Sequence, residues 1–232
     1  MSEFVTAVRA AIARAFGEMR PFLDAMEHAM RERGHDQPLP ESVRYLLARF
    51  YAETRIFIDL KLPERLRLCP AGALSARRYL WENYRDECGD FIAGADHLSL
   101  WVRVCEGVGV DRAAREAEHR RLLPRYAYLR QLEPGLEPMV AELAIMVAWE
   151  SLGRTLSTIG ARILGDPLRA RGEPSAGTLE FFAVHRDLDD GHAAHAMRTL
   201  VEYATTPALQ AVALDAIAAT LEPRQYLEAP CG

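Results

Sequence analysis

The segment FFAVHRDLDDGHAAHA, residues 181–196, holds three histidines and three aspartates in a chain with seven histidines. Imidazoles and carboxylates at that density can exchange protons, pair as ions or ligate a metal. A helix sorts them: at roughly 100° per residue, Asp189 lies about 40° round from His185 and His192 about 20° the other way. These three share one face, Asp187 and Asp190 point to the opposite side, and His195 falls off the face. A His-x3-Asp-x2-His stripe in an apolar helix is open to two readings. One is a paired polar patch. The other is a metal face of two neutral imidazoles and one carboxylate, a set that suits non-haem iron.

A metal needs further ligands, so acids on the other apolar helices matter. Glu150 stands in IMVAWESLG, flanked by Met146, Val147, Trp149 and Leu152. An unpaired carboxylate on such a face costs several kcal/mol or stays protonated, and either a metal or Arg154, one turn along, resolves that. Glu87 ends ENYRDE, and His97 follows a glycine-containing break; Glu82 and Asp86 are nearby acids. Taken singly, each reads equally as a surface charge. Together, Glu87, His97, Glu150, His185, Asp189 and His192 supply three carboxylates and three imidazoles, the donor set of a carboxylate-bridged dinuclear iron or manganese centre between facing helices.

The elements that must position these groups are helical nearly throughout. Phe4, Val5, Val8, Ile12 and Phe16 form a helical stripe that Pro21 is expected to interrupt, a second segment stopping at Gly34. ESVRYLLARFYAETRIFIDLKL predicts a long helix ending before Pro63, and ALSARRYLWENYRDECG the next. DHLSLWVRVCEGVG and DRAAREAEHRRLLPRYAYLRQLE follow, the latter bending near Pro124. The apolar helix that carries Glu150 is expected to close at Gly165 and Pro167, before the loop RARGEPSAG. TLEFFAVHRDLDDGHAAHAMRTLVEYA carries the stripe, and TPALQAVALDAIAATLEPRQYL ends the fold, with Thr206 as N-cap. No stretch alternates as a strand does. The expectation is one all-α domain over 1–232, of about seven or eight helices.

Composition sets the limits of function. A net charge of −5 gives no general attraction to nucleic acid or to an anionic membrane. No apolar run approaches the ~20 residues of a membrane span, and the N-terminus MSEFVTAVRAAIARAF is broken by charges, so a cytoplasmic protein is expected. Cys69, Cys88, Cys105 and Cys231 show no metal-binding or disulfide spacing. Lys61 is the sole lysine, so 27 of the 28 basic residues are arginines and most fixed cations open to a site are planar guanidiniums.

LWENYRDECGDFIAGADHLSLW, then AWES, then FFAVHRDLDDGH resembles the haem-oxygenase-like diiron oxidases and oxygenases. In that family a Glu and a His come from the third helix and its extension, a second Glu from a later long helix, and a His-x3-Asp-x2-His stripe from the helix after it. The resemblance covers about residues 20–220. It implies a haem-oxygenase-like bundle with Glu87 (Glu82 the alternative), His97, Glu150, His185, Asp189 and His192 as ligands of two irons, manganese being the other metal open to it. Dioxygen is the implied co-substrate, in an enzyme of natural-product biosynthesis that acts on a small molecule. LPESVRYLLARFYAETRIFI resembles the family helix whose aromatic pair faces the pocket, here Phe50 and Tyr51.

Family members oxygenate amines and guanidines at nitrogen, or cleave and decarboxylate amino acids and fatty acids. A small amino-acid-derived substrate is the favoured expectation, with Arg154 gripping its carboxylate at two points and Tyr51 and Trp149 lining the pocket. A fatty-acid or other carboxylate decarboxylase is the alternative on the same site. A thiaminase-like hydrolase would need a nucleophilic cysteine, Cys88 or Cys105 being nearest, and a metal-free interaction module is the third class. A homodimer is expected, with no nucleic-acid or membrane partner.

Overall fold

The apolar stretch that begins at Leu136 forms the axis of the molecule. The computed structural model describes residues 2–32, 37–170 and 179–220, without the side chains of 154, 166–170 and 186–190. In it this stretch is helix α7 (Leu136–Ala170). Met139, Val140, Leu143, Ala144, Met146, Val147 and Ala148 are all buried, the pattern of a helix enclosed on every side. Helices α8 (Glu180–Tyr203) and α9 (Pro207–Thr220) pack along α7, and α1 (Glu3–Glu32) crosses both α7 and α9. Helix α2 (Glu41–Ile56) packs on α6 (Arg112–Leu122) and α5 (His97–Gly107), while α4 (Leu74–Glu87) leans on α8. Short α3 (Leu62–Leu68) is tied to α7 by a buried ion pair, Arg65 Nε to Glu142 at 2.8 Å. The fold is all-α, with no strand among the described residues, and no helix among them is long and apolar enough to cross a membrane.

Three expected breaks are absent. Helix α1 runs through Pro21 as one 30-residue helix. A proline inside a helix costs about 3 kcal/mol. Buried Val8, Ile12 and Met19 before it and Met26 and Met30 after it anchor both halves in the core, and each such side chain returns roughly 1.5–3 kcal/mol. Pro63 likewise does not end its helix: α2 continues through a π turn, Phe57–Lys61, into α3. The π turn widens the helix where the Pro63 ring would meet the carbonyl four residues back. Helix α7 also passes Gly165 and Pro167 to Ala170, anchored by buried Ile163 and Leu164. Pro124 does mark a change, to the 3-10 turns of Leu123–Gln131.

Two buried clusters result. One joins α1, α3, α4 and α9 around the first half of α7; the other joins α2, α5, α6 and the second half of α7. The candidate site lies where α2, α4, α5 and α8 meet α7.

Candidate metal site

Glu87 is the last residue of α4 and His97 the first of α5. Between them the chain doubles back through three successive left-handed residues, Gly89, Asp90 and Phe91, at φ 57°, 51° and 63°. A Cβ on Gly89 would lie 2.4 Å from the Ala95 carbonyl carbon, so only glycine lets the two arms of the turn meet. Asp96 then caps α5, its Oδ1 accepting the Ser99 N–H at 2.7 Å and its Oδ2 the Ser99 hydroxyl at 2.7 Å. The Trp101 indole donates to the Leu47 carbonyl at 3.1 Å and ties α5 to α2. This turn sets His97 Nδ1 2.8 Å from Glu87 Oε2, with both residues buried.

Helix α8 brings His185 to the same point: Glu87, His97 and His185 each place a ligand atom within 4.8 Å of the others. The His185 Nδ1 lies 3.0 Å from the Phe181 carbonyl. A carbonyl oxygen only accepts, so Nδ1 carries the hydrogen and the Nε2 lone pair is left for a ligand, the arrangement of metal-binding histidines. Burial, and next the nearby His97, pushes the His185 pKa down to about 4. Burial would raise the Glu87 carboxyl, but His97, His185 and His192 outweigh it and hold it below its ordinary value. The result is one buried carboxylate with two imidazoles, a donor set that fits iron.

Two turns along α8, His192 faces other partners. Its Nε2 lies 3.1 Å from Asp86 Oδ2, and its Nδ1 lies 3.6 Å from Glu150 Oε2. Burial opposes charge on this ring, but Glu150 and Asp86 prevail and raise it to about 9. The Asn83 amide donates to the other Glu150 oxygen at 2.9 Å. One turn back on α4, the buried Tyr79 hydroxyl has no hydrogen-bond partner, and its phenol is raised well above the usual range by burial and by Glu150.

A cavity of about 230 Å³ opens onto both groups, with Glu87, Glu150 and His185 in its wall. Trp101, Phe181 and Phe182 form an aromatic shelf beside His185; the Trp101 and Phe181 ring centres are 4.4 Å apart, and those of Phe181 and His185 3.9 Å. On α7, Gly153, Leu156 and Gly160 keep the opposite wall open, and a Cβ on Gly160 would stand 2.5 Å from the Phe182 ring.

Of the expected site residues, the structure joins Glu87, His97 and His185 in one cluster and Glu150 and His192 in another. Glu82 is turned elsewhere, paired with Arg78 at 2.8 Å and with His195 at 3.7 Å. Asp189 and Arg154 belong to α8 and α7, and their side chains lie outside the described residues. Trp149 lines the cavity. Tyr51 does not: its hydroxyl donates to Glu116 on α6 at 3.0 Å, and the aromatic of α2 in the cavity wall is Phe50. Asp86, Asn83 and Tyr79 are the site residues that sequence reasoning did not assign. Helical spacing held a signal for all three, since Tyr79, Asn83 and Asp86 recur every three or four residues along α4. Arg49, Glu53 and Lys61 complete the cavity wall.

A search of the curated proteins finds no match to this chain. A family model described as iron-containing redox enzyme matches residues 44–225, which takes in both clusters and every cavity residue except Leu23, Met26 and Val43. The donor set and the match agree, and the chain belongs to this haem-oxygenase-like family of iron-containing redox enzymes.

Proposed function

We propose that this chain is an O2-dependent non-haem diiron oxidoreductase, and that the cavity beside Glu87, His97 and His185 is its substrate chamber. The observation that carries the reading is the convergence of those three side chains, two of them buried, at the wall of an otherwise mostly apolar cavity. Glu87, His97 and His185 would hold one ion, and Glu150 and His192 would contribute to a second, with Asp189, expected from the sequence as a further ligand, on the same helix. When bound, iron supplies the electron-transfer chemistry of dioxygen, which no side chain here provides.

The remaining groups do protein work. The Phe181 backbone carbonyl fixes the His185 tautomer, while the rings of Phe181, Phe182 and Trp101 keep water from the reacting centre. His192 holds a proton between Asp86 and Glu150, and it would have to give that proton up before it could serve as a ligand. Asn83 steadies Glu150 in the meantime.

The wall favours a substrate with an apolar body. Leu23, Met26, Leu47, Phe50, Ile159 and Ile163 supply most of its surface, which supports the carboxylate-decarboxylase alternative over a small polar amino acid. The hydrolase reading finds no support in the cysteines. Burial pushes the Cys105 thiol up to about 12 and raises Cys88 as well, and neither lines the cavity. Thiols so raised are protonated at neutral pH and poor nucleophiles.

The test is anaerobic ferrous titration followed by oxygen. Two irons per chain, and a transient visible absorption on mixing with oxygen, are expected. A chain that binds no iron, or that binds it and consumes no oxygen with any apolar carboxylate or amine offered, contradicts the proposal.

A further inference from the structure

An exposed apolar stripe runs along the outside of α4 and onto the turn that joins Glu87 to His97. Leu74 and Trp81, 72% and 52% exposed, stand seven residues apart on one helical face of α4. Phe91 and Ile92, 62% and 63% exposed, continue the stripe on the turn, whose residues from Asp90 to Ala95 are all exposed. The rings of Trp81, Tyr84 and Phe91 group together, with centres 6.1, 6.4 and 6.5 Å apart, so stripe and turn form one patch. Charges of both signs border it. Arg78 pairs with Glu82 at 2.8 Å, and Arg85 pairs with Asp86 at 3.1 Å and with Asp90 at 3.0 Å. With Arg77 beside Arg78, arginines and acids of α4 and the turn cancel.

We propose that this patch is the surface on which a second copy of the chain docks, and that the docked copy braces the ligand turn, so that dimerisation and metal binding favour each other. The bracing rests on the reading of Glu87 and His97 as metal ligands; the docking does not. Charge selects the occupant. In a two-fold interface the same patch meets itself, so a border of one sign would face its own kind. This border is neutral and mixed, so a copy meets no net repulsion and each arginine can find an acid across the axis. A strongly charged partner of either sign gains nothing from it. Exposed aromatics and arginines are also the residues that protein interfaces concentrate. The size fits: a Trp or Phe buries roughly 150–250 Å², and with Leu74, Ile92 and the bordering charges two copies reach the scale of about 1,200 Å² at which specific interfaces begin. The turn has use for a brace. Asp90 and Phe91 hold left-handed φ values of 51° and 63°, which strain a residue that carries a Cβ. That shape sets His97 Nδ1 2.8 Å from Glu87 Oε2. A copy that covers Phe91 and Ile92 favours the shape from outside, a metal favours it from inside, and such coupling is reciprocal.

The experiment is sedimentation velocity of the 232-residue chain at micromolar concentrations, metal-free and then with cobaltous ion. A dimer is expected in the metal-free protein, and cobalt is expected to tighten it by about tenfold or more. Trp81→Gln and Phe91→Asn are expected to be folded monomers, asparagine being a residue that tolerates a left-handed φ. Leu123→Gln, which removes an exposed leucine outside the patch, is expected to stay dimeric. A monomeric parent protein overturns the proposal, and so does a dimer that both patch variants leave intact. A patch-borne dimer whose affinity ignores bound cobalt overturns the brace. Visible absorption of the same samples reports whether cobalt binds. If it does not bind while the patch still holds the dimer, the metal-site reading falls with the brace and the docking surface stands.

Discussion

His185 and His192 stand seven residues apart on one face of α8, yet their surroundings drive their protons in opposite directions. His185 looks toward another imidazole and donates to a backbone carbonyl, and burial takes it down to about 4. His192 looks toward two carboxylates, Glu150 and Asp86, which raise it to about 9 against the cost of burial. The stripe that looks uniform in sequence is therefore two devices. At the first, a lone pair is bare and one buried carboxylate faces it. At the second, the chain has supplied its own cation, a protonated imidazole, and any metal bound there would have to displace that proton.

The largest test of this contrast is the removal of the carboxylate from the bare half. Glu87→Gln keeps the shape of the side chain and removes its charge. Ferrous or cobaltous affinity at that half is expected to fall by roughly a hundredfold or more, while the Glu150–His192 half still binds. His185→Ala and His192→Ala should each fold and retain at most one iron of normal affinity. Anaerobic titration followed by absorption checks all three. Two tightly held irons in any one of them would show that the two halves are wrongly drawn.

The next test is pH, read on the metal-free protein. His185 is depressed, so its neutral form belongs to the fold: its contribution is present above the unfolded value near 6.5 and is lost as pH falls toward about 4. His192 is raised, so its contribution is fully present below 6.5 and is lost as pH rises through about 9. Each limb is on the order of a few kcal/mol. Urea midpoints between pH 4 and pH 10 should show His185→Asn flattening the acid limb alone and His192→Asn the alkaline limb alone. Both variants flattening the same limb would end the contrast.

What was legible in the sequence follows from the same geometry. Helical periodicity is a local property, so the all-α class and the stripe on α8 could be read directly. Glu87 and His97 could be paired, but their meeting depends on Gly89, Asp90 and Phe91 taking left-handed conformations in a row, which no local pattern announces. Neighbouring acids show the limit most clearly. Asp86 and Glu87 are adjacent, and on a helix adjacent side chains diverge by roughly 100°, so one faces His192 and the other His97. Tyr51 and Phe50 divide in the same way, one to α6 and one to the cavity. The prolines misled because their cost of about 3 kcal/mol is smaller than the burial on either side of them, and burial is a tertiary quantity. Lys61 stood out by composition alone, and only the fold shows that it lies in the cavity wall.

A smaller effect is expected on the far wall of the cavity. Gly160→Ala places a methyl 2.5 Å from the Phe182 ring, which is buried and packed on Trp101 and Phe181. Overpacking of this kind costs about 1–3 kcal/mol, against a gain of roughly 0.5–1 kcal/mol for replacing a helical glycine. Net destabilisation by urea unfolding is expected, with partial rescue by Phe182→Leu. A more stable Gly160→Ala would show that the shelf can yield.

The smallest effect separates two acids five residues apart on α4. Glu82 is the rival to Glu87 by sequence, since both are acids on the helix that runs into the same glycine-containing break. The structure gives them different work. Glu87 is 8% exposed and its carboxylate is 2.8 Å from His97. Glu82 has a side chain 31% exposed and pairs with Arg78, itself 77% exposed. Solvent screens such a pair and the entropy of holding two long side chains offsets most of its attraction. Its second contact, His195 at 3.7 Å, lies off the stripe that carries His185 and His192. Glu82→Ala should therefore leave iron stoichiometry at two and the urea midpoint within experimental scatter, under the same titration in which Glu87→Gln loses its bare half. Loss of an iron in Glu82→Ala would move the metal site toward the surface and reverse the choice between the two acids.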